Sequence, residues 1–383
     1  MKLVFWISIF ILIHSYLLYP GIIKIISLFF KQKKYENEPP FTISILISAY
    51  NEEKVIRERL SNIAGLDYDL RKVEVLVGSD CSSDKTDELL LELKKEYPWL
   101  YVYLFEKRRG KVSVINDLVK EAKNEILLFT DANTEFDQFS AKYLVAHFND
   151  PLVGGVCGRL RLLEYKADPK KNIEEKNYWE YETLIKKPEG KCGILIGANG
   201  GIFAIKRRLF QEIPLERPVT DDLYISLSIL KQKYKFIYEP NAIAYEEVAP
   251  YLIHEFKRKI RFSATNFYTL IYFIYLLFSK NVLLSYAFWT HKVIRWLTPI
   301  FLILIFILNV FLIDQNITFK IFLLVQVIFY MLAISGFLLK KINVRISPLL
   351  MSFYFLMTNV ALFIGLIKFL FGRQTAFWQS TPR

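Results

Sequence analysis

The stretch "ILLFTDANTEF", Ile126 to Phe136, sets an apolar run directly before an oxygen-rich one. Ile126, Leu127, Leu128 and Phe129 read as a buried strand. Asp131, Asn133 and Glu135 follow, which puts hard oxygen donors at the tip of a central strand. The same arrangement recurs upstream. "TISILIS" (Thr42 to Ser48) is a β-branched apolar run, and a helical pattern follows from Glu52 to about Leu66. "VEVLVGS" (Val73 to Ser79) is a second strand, with a helix from Asp84 to about Tyr97. "YVYLFE" (Tyr101 to Glu106) is a third, with a helix from Lys111 to Lys123, and "EILLFT" is the fourth. Strands alternating with helices of this length predict βαβ units, a parallel sheet and an α/β fold. Ligands of such sheets bind beyond the carboxyl ends of the strands. "NEE", "SDCSSD", "KRRGK" and "DANTE" therefore fall on one rim.

These rim segments form a constellation. Asp80, with Asp84 nearby, follows the second strand, and Asp131 and Asn133 follow the fourth. Lys107, Arg108, Arg109 and Lys111 surround Gly110 ahead of the third helix. Carboxylates, an amide oxygen and a cation cluster around glycine suit a diphosphate bound through a divalent ion. Magnesium is commonly held by one or two carboxylates plus phosphate oxygens and water. Taken singly, each piece has an ordinary reading: an aspartate after a strand caps a helix or makes a turn, and "KRRGK" is a solvated loop. Their occurrence in order at successive strand ends carries the functional reading.

From Gly154 to about Glu247 the pattern is α+β, with a helix from Lys170 to Lys187 and strands at Gly200 to Lys206 and Lys235 to Glu239. The chain has 383 residues, 53% hydrophobic and 16% aromatic, and the apolar residues gather at its two ends. Leu3 to Ile23 is long enough to span about 30 Å of hydrocarbon. It lacks a small-residue cleavage site and reads as a retained anchor, residues 1–31. The polar linker "KYENEPP" (Lys34 to Pro40) leads into a domain at 40–250. Residues 251–290 are basic and aromatic, as suits amphipathic helices in the membrane interface. Three further spans are expected within 296–371: Trp296 to Ile313, Phe319 to Leu339 and Pro348 to Phe371. A short tail, 372–383, follows.

The net charge is +12, from 50 Lys and Arg against 38 Asp and Glu, and much of it flanks apolar segments. Such residues are topology signals, so no nucleic-acid partner is expected. Lys24, Lys31, Lys33 and Lys34 place the side after the anchor in the cytoplasm. Three scattered cysteines without a CxxC pair exclude a disulfide framework or zinc site and fit a reduced compartment.

With these segments in hand, the chain resembles a membrane-bound family 2 glycosyltransferase, of the type that makes cellulose, hyaluronan or poly-N-acetylglucosamine. The resemblance runs from "ISAYNEE" (Ile47 to Glu53) to "RKIRF" (Arg258 to Phe262). "GSDCSSDKT" is similar to the acidic nucleotide-binding turn, with Ser79 where a first Asp is frequent. "FTDANT" is similar to the Asp-x-Asp motif, with Asn133 in its final position. "GANGGIFAIKR" (Gly197 to Arg207) resembles the acceptor-side glycine segment, and "TDDLYIS" (Thr220 to Ser226) the Thr-Glu-Asp motif, with Asp221 for Glu. "RKIRF" sits where processive members carry Gln-x-x-Arg-Trp.

The resemblance implies a GT-A, Rossmann-like catalytic domain with an N-terminal transmembrane helix and C-terminal interfacial and transmembrane helices. It implies that Glu52 and Asp80 contact the nucleoside, and that Lys111 lies near the phosphates. Asp131 with Asn133 would hold Mg2+ or Mn2+ and the diphosphate. Asp222 would be the general base. Gly200, Asp221, Arg258 and Arg261 would serve the acceptor or diphosphate. The expected partners are a nucleotide-sugar donor, a glycan or lipid-linked acceptor, the bilayer and export proteins. The expected location is the cell membrane, multi-pass, with the catalytic domain cytoplasmic. One displacement by one base inverts the anomeric centre. Two other readings stand beside this one: a synthase that charges a polyprenyl phosphate, and a non-catalytic nucleotide-sugar-binding scaffold.

Overall fold

The structure is a computed structural model and describes residues 1–31, 40–163, 173–247, 252–342, 344 and 346–374. The expected linker before Pro40, the domain edge near residue 250 and the tail beyond 374 lie outside the described residues. The chain divides into two units. Among the described residues, one holds 24–31, 40–163 and 179–247, and the other holds 1–23, 173–178 and 252–374.

The first unit is built on an eight-stranded sheet. Its strands are β1 (Ile43–Ala49), β2 (Val73–Ser79), β3 (Leu100–Leu104), β4 (Ile126–Phe129), β5 (Glu135–Phe136), β6 (Val153–Leu163), β7 (Phe203–Lys206) and β8 (Lys235–Glu247). The order is β3-β2-β1-β4-β7-β6-β8-β5. The first four are parallel, with Ile45 level with both Val75 and Leu128. β7 runs antiparallel to β4 and β6, and β5 antiparallel to β8, so the parallel sheet predicted for the first four strands continues into a mixed one. β1 and β2 are buried almost throughout, as strands inside a two-sided sheet should be, and their buried polar members Ser44 and Glu74 hydrogen-bond each other.

The crossovers are short helices. In chain order after α1, the membrane-type helix Lys2–Ser27, they are α2 (Ile56–Ala64), α3 (Thr86–Glu96) and α4 (Lys111–Glu121). α2 starts four residues later than its periodicity suggests, because Asn51 to Val55 turn along the rim, with Asn51 at φ +56°. α5 (Ser140–Ala146) precedes β6, α6 (Ile173–Lys191) follows it, and α7 (Asp221–Lys231) precedes β8. From β1 the chain steps through β2 and β3 on one side, then crosses back to β4 on the other side of β1. That is the topological switch point at which open α/β sheets bind ligands.

The second unit contains most of the apolar helices. α8 is Leu252–Phe273. α9 (Val282–Trp296) and α10 (Thr298–Leu312) meet at a 63° bend. α11 (Ile317–Lys341) and α12 (Ser347–Leu370) follow. α1, α11 and α12 are each long and apolar enough to cross a membrane, and the bent pair makes a fourth candidate if counted as one span. The expected span at Trp296 to Ile313 thus takes the form of the bent pair, with Thr298 and Pro299 opening its second arm. α8 packs on α12 at close range: a Cβ at Gly365 would lie 2.4 Å from Ser263 Cβ. Small residues allow such approach between apolar helices. The Tyr354 hydroxyl donates to Glu255 Oε1 at 2.5 Å, and Lys259 Nζ lies 3.6 Å from the same oxygen.

Candidate active site at the strand tips

Gly110 is the hinge from which the site is assembled. Its φ of +88° is a conformation that side chains disfavour. The turn lets two successive backbone N–H groups, of Arg109 and Gly110, donate to Asp80 Oδ1 and Oδ2, each at 2.7 Å. Asp80 therefore fastens the cationic loop to the end of β2. Arg108 lies over the Tyr50 ring at 3.7 Å, and Arg109 pairs with Asp117.

Lys111, the first residue of α4, follows directly. Its Nζ is 2.7 Å from Asp131 Oδ1, at the tip of β4, and 3.1 Å from Asp221 Oδ2, at the start of α7. Three elements distant in sequence meet at one ammonium. Burial works against the Lys111 charge, but Asp131 and Asp221 outweigh it and raise its pKa.

Asp222 stands next to Asp221 in the first turn of α7. One of its oxygens accepts the Leu223 N–H at 2.6 Å. Burial, and then the neighbouring Asp221, push its carboxyl from 3.8 up to about 6, against the opposing pull of Lys186 and Lys111. A carboxylate with a pKa near the working pH suits a general base. Gly200 borders it: a Cβ there would lie 3.3 Å from Asp222 Oδ2.

Glu52 is buried at the tip of β1, where its backbone N–H donates to the Thr86 hydroxyl at 2.8 Å. Asn133 lies in the turn after Asp131, and its Nδ2 donates to Glu246 Oε1 at 3.0 Å. A chain of contacts therefore runs from Asp80 through Gly110 and Lys111 to Asp131, Asp221 and Asp222. Arg258 and Arg261 belong to the other unit, on α8. There Arg258 pairs with Glu175, and the Arg261 guanidinium lies 5.0 Å from the Phe262 ring.

Among the described residues no three acidic, histidine or cysteine side chains converge as a preformed metal cage. The donor set here is one carboxylate, Asp131, with the Asn133 amide oxygen two residues on. That set fits a divalent ion taking most of its ligands from a bound diphosphate, as Mg2+ commonly does.

Two residues that sequence reasoning missed support this turn. Arg59, buried on α2, donates to Thr130 Oγ1 at 3.0 Å and to Asn62 Oδ1 at 2.5 Å, and lies over the Phe136 ring at 4.3 Å. Asn62 clamps the Phe136 backbone at both its N–H and its carbonyl. Burial lowers the Arg59 guanidinium to about 9 despite Asp131 and Glu135, so it stays charged at neutral pH. An arginine on an amphipathic helix gives no sign of this role in sequence. Only the pairing of α2 with the turn reveals it.

Comparison with known proteins agrees with this fold. Residues 44–213 match the family described as "Glycosyl transferase family 2". The chain is 28% identical over 224 residues to the poly-beta-1,6-N-acetyl-D-glucosamine synthase of Staphylococcus aureus (strain COL), covering 58% of this chain and 53% of that one. The synthase of the same name from Staphylococcus epidermidis is 27% identical over 233 residues, 60% of this chain and 56% of its own. The chain thus spans about half the length of these curated relatives. Among solved structures, the mannosyltransferase PcManGT from Pyrobaculum calidifontis, in complex with GDP-Man and Mn2+, superposes with a TM-score of 0.68 at 20% identity. That match covers 97% of this chain and all of the other, and shows a shared fold.

Proposed function

We propose that the family 2 glycosyltransferase domain at residues 44–213, with the helices on either side, works as an inverting, metal-dependent glycosyltransferase. It moves a sugar from a nucleotide-sugar, a UDP-sugar in the first instance, to a membrane-associated glycan or glycolipid in cell-surface polysaccharide or glycolipid synthesis. The observation that carries this is the convergence of Asp131 and Asp221 on the Lys111 ammonium, with Asp222 beside them.

Lys111 and the cationic loop held by Asp80 bind and orient the diphosphate at the mouth of the switch point. Asp131 and the Asn133 oxygen would hold a divalent ion, which when bound would supply charge compensation for the departing nucleoside diphosphate. Glu52 and Asp80 serve the nucleoside side. Asp222 removes the proton of the acceptor hydroxyl as that oxygen attacks the anomeric carbon, and Gly200 leaves room for the acceptor against the base. A single displacement from the face opposite the leaving group turns an α-linked donor into a β-linked product.

The apolar helices make the chain a membrane protein. We place it in the cell membrane as a multi-pass protein with the catalytic domain cytoplasmic, where it meets soluble donor and lipid-linked or exported acceptor. The relatives named as poly-beta-1,6-N-acetyl-D-glucosamine synthases support a sugar hydroxyl as acceptor, ahead of a polyprenyl phosphate.

The test is to incubate membranes bearing the protein with radiolabelled UDP- and GDP-sugars and Mg2+ or Mn2+, then to size the product. A ladder indicates polymerisation and a single glycolipid band one transfer. A phosphate-linked product identifies the polyprenyl-phosphate synthase instead. Absence of any metal-dependent product overturns the assignment.

A further inference from the structure

An amide at the last position of "FTDANT" raises a physical problem. Its two ends are opposites: the carbonyl oxygen can ligate a cation, while the NH2 carries two donors and repels one. It also brings no charge. A metal site built on Asn133 therefore needs something to choose which end is offered.

That choice is made by Glu246. The short β5·β8 ladder sets Glu135 opposite Tyr245 and Phe136 opposite Ala244, so the next residue of β8, Glu246, comes level with the turn that precedes β5. There Glu246 Oε1 lies 3.0 Å from Asn133 Nδ2. An ionised carboxylate only accepts, so it faces the NH2 and leaves the carbonyl oxygen as the exposed end. The carboxylate also restores, one residue away in space, the negative charge that Asn133 lacks. Partners of this kind, which orient a ligand without touching the ion, typically change metal affinity or activity by about 10–100-fold when removed.

We propose that Glu246 is a positioning residue of the divalent-ion and diphosphate site. It locks the Asn133 amide with its oxygen toward the ion and completes the charge of the motif. The inference rests on the metal-dependent reading above and adds a residue outside the matched segment 44–213.

The test uses the full chain in detergent or nanodiscs and three variants: Glu246→Gln, Glu246→Ala, and the exchange Asn133→Asp with Glu246→Gln. Mn2+ binding is followed by electron paramagnetic resonance with UDP or GDP present, alongside thermal unfolding. Glu246→Gln and Glu246→Ala should weaken Mn2+ binding by about tenfold or more. The exchange swaps amide and carboxylate while keeping both the hydrogen bond and the net charge, so it should return affinity close to wild type. If the single variants bind Mn2+ like wild type, or lower the unfolding temperature without changing the affinity, Glu246 is merely a strut between β8 and the turn and the proposal is overturned. A wild-type protein that binds no Mn2+ with either nucleotide sinks the metal-dependent reading itself, a result distinct from failure of Glu246 alone.

Discussion

Replacing Asp222 by Asn should abolish catalysis while strengthening the fold. The side chain keeps its shape and can still accept the Leu223 N–H through its amide oxygen. What it loses is the ability to take a proton, a role that typically contributes about 10²–10⁴ in rate. With its carboxyl at about 6, wild-type activity should follow an acid limb near that pH. The base is about nine-tenths ionised at pH 7 and about one-tenth at pH 5, a fall of roughly tenfold. Stability runs the other way. The folded pKa lies above the ordinary 3.8, so the native state holds the proton more tightly than the unfolded chain does. The resulting stabilisation is fully present below about pH 4 and is lost as pH rises through about 6. At pH 7 the ionised group therefore weighs against the fold. About two pK units correspond to about 3 kcal/mol. With solvent access, the neutral isostere should recover about 1–3 kcal/mol, a rise of a few degrees in unfolding temperature. The assays are transfer of labelled sugar across pH 5–8, nucleotide binding, and thermal unfolding of wild type and variant. Turnover by the Asn variant above about a tenth of the wild-type rate would refute the assignment of the base.

Lys111→Met removes a cation that holds the Asp222 pKa down, so its acid limb should move to higher pH and donor KM should rise; an unmoved limb would show that the two groups do not communicate. Gly200→Ala places a methyl 3.3 Å from Asp222 Oδ2, tight enough to shift the base. It should lower kcat by about tenfold or more with little change in unfolding temperature, as steady-state kinetics and calorimetry will read. Gly78→Ala should act oppositely. Its Cβ would meet Val114 Cγ1 at 2.4 Å, where α4 packs on β2, so stability should drop by about 1–3 kcal/mol with activity per folded molecule preserved. Arg59→Met should raise the Mn2+ requirement for transfer, because the Thr130 contact behind Asp131 is lost.

The parallel half of the sheet was legible because β1, β2 and β4 are short segments dominated by Ile, Val, Leu and Phe, and each leads into polar residues. The antiparallel half was legible only in part: β7 and the start of β8 were read as strands, and β6 was missed. β6 reads "VGGVCGRLRLL", and its glycines interrupt any apolar period. They are there because a Cβ at Gly155 would lie 2.3 Å from the Phe236 ring. β8 outran its predicted end at Glu239 because the pairing with β6 resumes after a bulge at Gly158/Arg159, carrying the strand past Pro240 to Glu247. For the site, the strand-tip residues could be named from their order alone. The bond from Lys111 to Asp221, 110 positions apart, and the support of Asp131 by Arg59 depend on packing that no local pattern encodes.

The hydrogen bond from Tyr354 to Glu255 has a bearing on biogenesis. Glu255 is almost fully buried, and its hydroxyl partner is synthesised 99 residues later, within α12. Until that helix emerges and docks, its neighbour Lys259 is left to meet the acid among the described residues, and a hydrogen bond to a charged group is worth about 1.5–3 kcal/mol. α12 is therefore no interchangeable anchor: a generic polyleucine segment of equal length would lack the hydroxyl and strand this carboxylate inside the helix packing.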